Sequence, residues 1–367
     1  MLNAHITGWG MAVPERVMTN DDLSEFIETN DAWIRERTGI RERRVARETD
    51  FTSTLAVDAS MRALKKANVR PTDLDLIICS TSTPEYLFPA TACLIQDQLG
   101  ATKAGAFDLL AACSGFIYAL NMGAQAIRSG SVKTVLVIGS ETLSRFVNWK
   151  DRNTCILFGD GAGAFILQAD ERPGGVLSAV MHSDGSGGDL LKLPSGGSRR
   201  PISETTYQDG EHYIQMDGRE VFRFATRVMA SATQEALTAA GLTVQDVRWI
   251  VPHQANVRII EAAARGLKLP MDRFIVNLDR YGNTSTASIP IAMVEAAEAG
   301  KIQPGDKVVM VGFGAGLTWG ALAAEWTGPL PSKGAARPER YRQLGRIRSW
   351  ARRLIRFIEG LIYRREL

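Results

Sequence analysis

The sequence predicts an α/β fold made of two copies of one unit, and three observations carry that prediction. Short continuous apolar runs, such as Asp75-Leu76-Ile77-Ile78-Cys79 and Val135-Leu136-Val137-Ile138-Gly139, have the character of strands buried on both faces of a parallel sheet. Helical patterns alternate with these runs. The pattern then returns at an offset of 173 residues, where Ala63-Leu64, Asp73, Ile77, Val135 and Gly139 fall on Ala236-Leu237, Asp246, Ile250, Val308 and Gly312. Two copies of an α/β unit fold as similar halves with the active site between them.

Composition bounds the rest. A chain of 367 residues holds one large domain or two of ordinary size, and 45% apolar with 23% charged content is that of a globular enzyme. The four cysteines, Cys79, Cys93, Cys113 and Cys155, show no CxxC spacing and no His cluster, so reduced thiols and no metal are expected. The start, MLNAHITGWGMAVPE, lacks the apolar run of a secretory leader, and no apolar run of about 18 residues predicts a spanning helix. The net charge of +3 is uneven. From Pro331 onward eleven Lys and Arg face three Glu, which leaves the preceding body at −5.

Taken in order, the chain begins with a strand at Ile6–Gly8, a turn at Val13-Pro14 and a helix whose Asn20-Asp21-Asp22 start suits a cap. Asp31 to Arg41 joins Trp33 to closely spaced arginines. Such a segment can stack on a base and pair with phosphates, or simply form a charged helix end. Thr52 to Asn68 is helical in pattern, and Pro89 to Cys93 opens a further helix with Pro in its first turn. Gly105 to Gly130 organises the chain: a strand over Ala106–Leu109 passes through small residues to Cys113, and a helix follows from Ser114. A helix N-terminus favours thiolate over thiol, and Ala111, Ala112, Ser114 and Gly115 let a substrate reach the sulfur. The plain alternative is a buried small hydrophobe.

Phe158-Gly159-Asp160-Gly161-Ala162-Gly163-Ala164 has the glycines of a nucleotide loop but leads into a strand, so it is expected to be close-packed backbone. Residues 184–217 are rich in Gly, Ser and charge, and a connection of this length is expected to be a flap over the site. In the second copy a buried strand ends at Pro252 and presents His253 at the sheet's carboxyl edge, while Gly282-Asn283-Thr284 presents Asn283 before a helix. At matching places of the two copies, Ser80 lies opposite His253 and the Cys113 turn opposite the Asn283 turn. A satisfied core histidine and a helix N-cap are the plain alternatives for His253 and Asn283. The shared strand-end position of Cys, His and Asn favours a site.

The motifs DAWIRERTGIRER, FPATAC, AACSGF, DRNTCILFGDGAGA, PHQANVRII, YGNTSTASIP and GFGAGLTWG lie between Asp31 and Gly320 and carry a likeness that covers Asn3 to about Gly328. With them the chain resembles β-ketoacyl-acyl-carrier-protein synthase III of the thiolase superfamily. The resemblance implies a five-layered α-β-α-β-α thiolase-like fold with two duplicated halves, 1–172 and 173–328, working as a cytoplasmic homodimer without a cofactor. It implies an acyltransferase that begins fatty-acid synthesis: a short acyl-CoA, such as acetyl-CoA, acylates Cys113, and decarboxylative condensation with malonyl-acyl-carrier protein follows. By the same resemblance His253 and Asn283 stabilise the enolate, and the backbone N–H groups of Cys113 and Ala315 receive the oxyanion. Many relatives carry glycine where Ala315 stands, and Ala restricts the turn's φ/ψ choices. Trp33 and Arg152 correspond to the pair that sandwiches the adenine of CoA, and Arg37 to a phosphate neighbour. Thr29, Gly218, Phe222 and Asn256 correspond to the lining of the pantetheine tunnel. Arg258, with Arg223 and Arg265, corresponds to the carrier-protein contact, thinned by Gly266. Phe88 corresponds to the residue that caps the acyl pocket across the dimer.

The tail departs from the pattern, since relatives usually stop near Trp326. Residues 329–334 form a breaker-rich linker, and from Arg340 the residues Leu344, Ile347, Trp350, Leu354, Phe357, Ile358 and Leu361 recur at helical spacing with arginines between them. Such a helix suits an anionic membrane surface, an acidic partner or docking on the dimer. Three rival functions use the same residues. One is a related condensing enzyme of secondary metabolism or of long-chain joining, one a non-catalytic carrier-protein or membrane scaffold, and one a cysteine hydrolase with His253 as base.

Overall fold

The computed structural model describes residues 2–331 and 334–363. The first half of the chain runs through β1 (Asn3–Ala12), β2 (Val17–Thr19), α1 (Asn20–Ser24), α2 (Asp31–Thr38), β3 (Glu42–Arg44), α3 (Thr52–Ala67), β4 (Leu76–Ser80), α4 (Thr91–Leu99), β5 (Gly105–Leu109), α5 (Gly115–Arg128), β6 (Thr134–Glu141), α6 (Arg152–Cys155) and β7 (Gly161–Asp170). The second runs through β8 (Gly175–Ser183), β9 (Leu191–Lys192), α7 (Glu204–Gln208), β10 (Gln215–Met216), α8 (Gly218–Ala239), β11 (Trp249–Pro252), α9 (Val257–Leu267), α10 (Leu278–Tyr281), α11 (Ser288–Glu298), β12 (Lys307–Gly314) and β13 (Thr318–Glu325). The chain then ends in α12 (Pro338–Tyr363).

Two sheets form, in the orders β1-β7-β6-β4-β5 and β11-β12-β13-β8. The repeat seen in the sequence is kept in register. Leu76 pairs with Val135 across the parallel β4–β6 ladder, and Trp249 pairs with Val308, each 173 residues later, across β11–β12. Backbone strain repeats too: Ala112 (φ +47°) and Ser285 (φ +49°), again 173 apart, both take the left-handed conformation just before a buried helix. The copies differ at the edge. β5 extends the first sheet, whereas a single parallel bridge between Ile250 and Phe274 stands in the equivalent place of the second.

Helices α5 and α11 lie between the sheets, α3 and α4 cover the outside of the first, and α8 and α9 cover the second, which gives five layers. The middle layer is the core. Phe116, Ile117, Leu120 and Ile127 of α5 and Ile289, Ala292 and Met293 of α11 are all buried in one cluster that reaches both sheets. Each large side chain removed from water contributes roughly 1.5–3 kcal/mol. Trp326, at the end of β13, is 1% exposed and packs 4.7 Å from Trp9 of β1.

Several local expectations are corrected. The cap of α1 is Thr19, in a reciprocal box with Asp22. Asn20 is unavailable as a cap because its side chain is buried and holds Asp31, the Ile40 carbonyl and Arg43. Helix α4 starts at Thr91, two residues after Pro89, because Asp108 of β5 accepts from the N–H groups of Thr91 and Ala92 at 2.6 and 2.7 Å. The Phe158–Ala164 glycines are close-packed as expected: a Cβ on Gly159 would lie 2.3 Å from the Tyr281 carbonyl oxygen, and one on Gly163 2.5 Å from Pro290. Residues 184–217 are ordered by short elements. β9 pairs with β10, and Asp184 exchanges two 2.8 Å backbone hydrogen bonds with Leu317.

Phe116 is fully buried and packs edge-on to Phe165 at 5.1 Å. Phe116→Ala is expected to cost about 3–5 kcal/mol, read as a lower urea midpoint.

Candidate active site

Cys113 sits in a single helical turn, Ala112–Ser114, between β5 and α5. The strained Ala112 turns the chain so that the cysteine lies at the start of α5, 6% exposed. Two contacts fix this turn from the other half. A Cβ on Gly314 would lie 2.6 Å from the Cys113 nitrogen, so glycine is required there. The Thr318 hydroxyl lies 3.0 Å from the Ala111 carbonyl, 3.1 Å from the Ala315 carbonyl and 2.8 Å from the Ser114 hydroxyl, so it ties the two loops together.

His253 follows β11 directly, and its backbone N–H donates to the Val311 carbonyl at 2.8 Å. The ring is 1% exposed, its Nδ1 lies 2.7 Å from the Ser288 hydroxyl, and Phe313 packs edge-on at 5.3 Å. The Gln254 N–H also donates to that hydroxyl, at 3.4 Å. Asn283 bridges Phe158 through its backbone, and its Oδ1 accepts from the Ser285 N–H at 2.8 Å. That leaves the side-chain NH₂ as its free donor. Cys113, His253 and Asn283 line one cavity of about 250 Å³.

Trp33, Arg37, Gly218, Phe222, Asn256 and Arg258 line the same cavity. Asn256 caps α9 through the Arg258 N–H and donates to the Arg37 carbonyl, and so joins α9 to α2. The guanidinium groups of Arg37 and Arg152 lie 4.6 and 4.8 Å from the Trp33 ring centre, and Arg152 also donates to the Glu28 carbonyl at 3.1 Å. Thr29 is not brought in. It lies in the turn before α2, outside the lining, with its hydroxyl buried. A second cavity of about 110 Å³ opens on Cys113 and is walled by Ser285, Ala315, Leu143, Phe146 and, from the flap, Leu191, Leu193 and Ile214. Ala315 causes no backbone strain; the left-handed φ of that turn falls on Gly316 (+140°).

Phe88 is 85% exposed beside a cis bond to Pro89 and reaches neither cavity of its own chain. Arg258 and Arg265, two turns apart on α9, are exposed together, whereas Arg223 is paired with Glu220 at 3.0 Å. Arg219 and Arg227 of α8 are also exposed and make no ion pair among the described residues, and sequence reasoning missed both. It also missed Ser288, Thr318 and Glu141. The run of small hydroxyl residues after Asn283, and a glutamate closing the buried strand β6, were the available signals.

The electrostatics depart from expectation. Burial pushes the Cys113 thiol up to about 12, against the Ser285 hydroxyl that favours thiolate, and Glu141 pushes it further up. Desolvation is the largest of these influences, and it favours the thiol over the thiolate at rest. Burial likewise lowers His253 to about 3, so its imidazole is neutral. Burial raises Glu141 to about 7 even though Thr83, Thr81 and the Ser82 N–H all donate to it. All four cysteines are free. Among the described residues, no group of three or more His, Cys, Asp or Glu could hold a metal ion.

The folded state keeps the Cys113 proton between about pH 9 and 12, where the unfolded chain loses it, so this group's stabilisation is lost as pH rises through that window. Alkylation of Cys113 by iodoacetamide, followed by mass spectrometry, is expected to climb steadily from pH 7 to 10. A plateau near neutrality would refute the raised thiol.

The comparisons agree with one another. Models of 3-oxoacyl-[acyl-carrier-protein] synthase III and of its C-terminal part match residues 107–185 and 237–326. A β-ketoacyl-[acyl-carrier-protein] synthase III from Roseiflexus sp. is 52% identical over 324 residues, 88% of this chain and 98% of the relative. Its counterpart from Symbiobacterium thermophilum is 54% identical over 321 residues, 88% of this chain and 97% of the relative. The crystal structure of 3-oxoacyl-[acyl-carrier-protein] synthase III from Aquifex aeolicus superposes with a TM-score of 0.81 at 46% identity, covering 88% of this chain and 99% of that one. With half its residues shared along nearly the whole length of these relatives, the chain belongs to the β-ketoacyl-acyl-carrier-protein synthase III family.

Proposed function

We propose that the chain is the acyltransferase that initiates fatty-acid synthesis, with Cys113, His253 and Asn283 as its catalytic residues. The observation that supports it best is that these three side chains, from two halves of the chain, line one cavity. An acyl-CoA enters that cavity. The Cys113 sulfur forms a thioester with the acyl carbon as the bond between that carbon and the CoA sulfur breaks, and the thiol proton ends on the departing CoA sulfur. The carbonyl oxygen takes up charge in this step, and the backbone N–H groups of Cys113 and Ala315 are its assigned donors. They carry the more weight because the resting sulfur is a thiol.

Condensation follows on the same sulfur. Malonyl-acyl-carrier protein loses CO₂, the enolate carbon attacks the acyl thioester, and the Cys113 thiolate departs. Ser288 accepts from the Gln254 N–H and lies 2.7 Å from His253 Nδ1; with that hydroxyl as the donor to Nδ1, the imidazole proton sits on Nε2. A neutral imidazole N–H and the Asn283 NH₂ then donate to the enolate oxygen. A cysteine hydrolase would need His253 as a base, and a ring whose proton sits on Nε2 is a donor instead. Because three polar catalytic groups are held in one cavity, the catalyst is favoured over a silent scaffold.

The remaining assignments rest on placement. Adenine between Trp33 and Arg152 needs a gap of about 7 Å, from two stacks at ~3.5 Å each. Arg152, now at 4.8 Å, swings out to admit it. Arg37 then meets the phosphates, and Gly218, Phe222 and Asn256 line the pantetheine arm. Thr29 is the weakest of these, being outside the lining. Arg258 and Arg265, with Arg223, form the rim for the acidic carrier protein on a body that is itself net acidic.

The unpaired edge of β5, with Phe107 and Leu110 exposed beside Tyr86, Leu87 and Phe88, is the proposed homodimer face. Across it Phe88 caps the partner's acyl pocket. Residues 1–172 and 173–328 are the proposed halves, divided in the turn between β7 and β8. A cytoplasmic location fits the proposed CoA and carrier-protein substrates. No helix among the described residues is long and apolar enough to cross a membrane.

Intact-protein mass spectrometry with a panel of short acyl-CoAs is expected to show one adduct, absent in Cys113→Ala and discharged by malonyl-acyl-carrier protein. An adduct that this acceptor leaves in place would instead indicate a condensing enzyme with another acceptor. His253→Ala is expected to keep the adduct but slow its discharge by about 10²–10³-fold, measured as product formed per unit time. Equal loss of both steps would refute the enolate role of His253.

A further inference from the structure

Helix α12 is mounted the opposite way from an ordinary amphipathic helix. It rests on α3 and α4 through small and polar residues. Gly345 approaches Gly100 so closely that a Cβ on Gly345 would lie 2.6 Å from the Gly100 Cα. The Ser349 hydroxyl donates to Asp97 at 2.7 Å, Arg342 meets Asp58 at 3.3 Å, and Asn68 accepts from the Ala336 N–H and donates to the Gly334 carbonyl, each at 2.6 Å. At 100° per residue, positions 342, 345 and 349 fall on one face. The apolar stripe falls on the opposite one.

That stripe is bare. Leu344, Ile347, Trp350, Leu354, Phe357 and Leu361 are exposed by between 42% and 65%. Arg346 and Arg353 border it on one side, and Arg348 and Arg352 on the other. A soluble helix normally turns such a stripe inward. Here the inward side is closed by the glycine contact, which admits no side chain, so the stripe is displayed.

We propose that α12 is a lipid-surface binding element that holds the enzyme against anionic bilayers. An apolar face with Trp and Phe, bordered on both sides by arginines, fits the boundary between headgroups and acyl chains, and the arginines complement anionic headgroups. The arrangement favours lipid over a second copy of the chain. Seven arginines between positions 340 and 356, set against Glu339 and Glu359, would meet their own kind across a two-fold axis. The helix lies on the surface and does not span: at 26 residues it is long enough to cross, but its arginines leave it short of the apolarity that crossing needs. The element is separate from Cys113 and adds location without altering the acyl-transfer chemistry.

The test is co-sedimentation of the full-length protein with vesicles of phosphatidylglycerol and phosphatidylcholine, and with phosphatidylcholine alone, at low and high salt. The comparison variants are the double variant Trp350→Asp/Phe357→Asp and the double variant Arg346→Gln/Arg353→Gln. Binding to the anionic vesicles is expected, weakened about tenfold or more by high salt, by removal of the anionic lipid and by either pair of substitutions. Acyl-adduct formation on Cys113 is expected to be unchanged in both variants, which shows that they are folded. No binding to anionic vesicles, or equal binding by Trp350→Asp/Phe357→Asp, would overturn the proposal. So would a wild-type solution mass of twice the β5-edge dimer that reverts to the dimer in that variant, because a second copy would then be the occupant.

Discussion

The seam between the two halves admits almost no side-chain volume, and the rest of the structure depends on that constraint. A Cβ on Gly139 would lie 2.6 Å from the Thr286 carbonyl oxygen, and one on Gly314 2.6 Å from the Cys113 nitrogen. These glycines bring the backbones of β6 and β12 into direct contact with the Thr286 turn and the nucleophile turn of the opposite halves. The hydroxyls of Ser80 and Thr286, 2.8 Å apart and fully buried, close the seam with a hydrogen bond from one half to the other. Cys113 can therefore share a cavity with His253 and Asn283, although 140 residues of chain separate the first two.

Burial at this seam sets the chemistry. Around the sulfur burial disfavours charge at rest: Cys113 is held as a thiol, His253 as a neutral imidazole, and the Glu141 carboxyl is pushed up to about 7. A buried inner end with hydrogen-bond donors already oriented gives little to the ground state and most to the oxyanion and enolate that form during reaction. Glu141 shows how closely the surroundings are tied. Its carboxylate gathers Ser82, Thr81 and Thr83, and Thr83 in turn accepts from the Thr142 N–H, so the strand ends beneath the cysteine form one buried polar network.

The tail follows the opposite logic. The body hides its apolar surface between the sheets, whereas α12 is fixed by a polar, glycine-lined face and leaves its apolar face in solvent. The same rule of close approach explains both places: where glycine meets glycine, as at Gly100 and Gly345, the backbone itself is the contact and side chains are sent elsewhere.

The sequence by itself determined the duplication and the strand-end positions of Cys113 and His253. Asn283, expected at a third strand end, instead follows the short helix α10, because a single bridge replaces the strand there. Apolar periodicity and chain order are local properties, and a repeat at a fixed offset keeps its register when folded, as the paired Leu76–Val135 and Trp249–Val308 show. Family likeness added candidate CoA and carrier-protein residues, of which Trp33, Arg37, Gly218, Phe222, Asn256 and Arg258 lie around the same cavity as Cys113. Only the tertiary structure decided what depends on burial and on contacts far apart in sequence. The upward shift of the Cys113 thiol followed its desolvation. The cap of α4 came from Asp108 on another strand, and the orientation of His253 from Ser288, 35 residues away. Which face of α12 turned outward was settled by Gly100, because periodicity locates an apolar stripe but carries no information about what the helix will lean on.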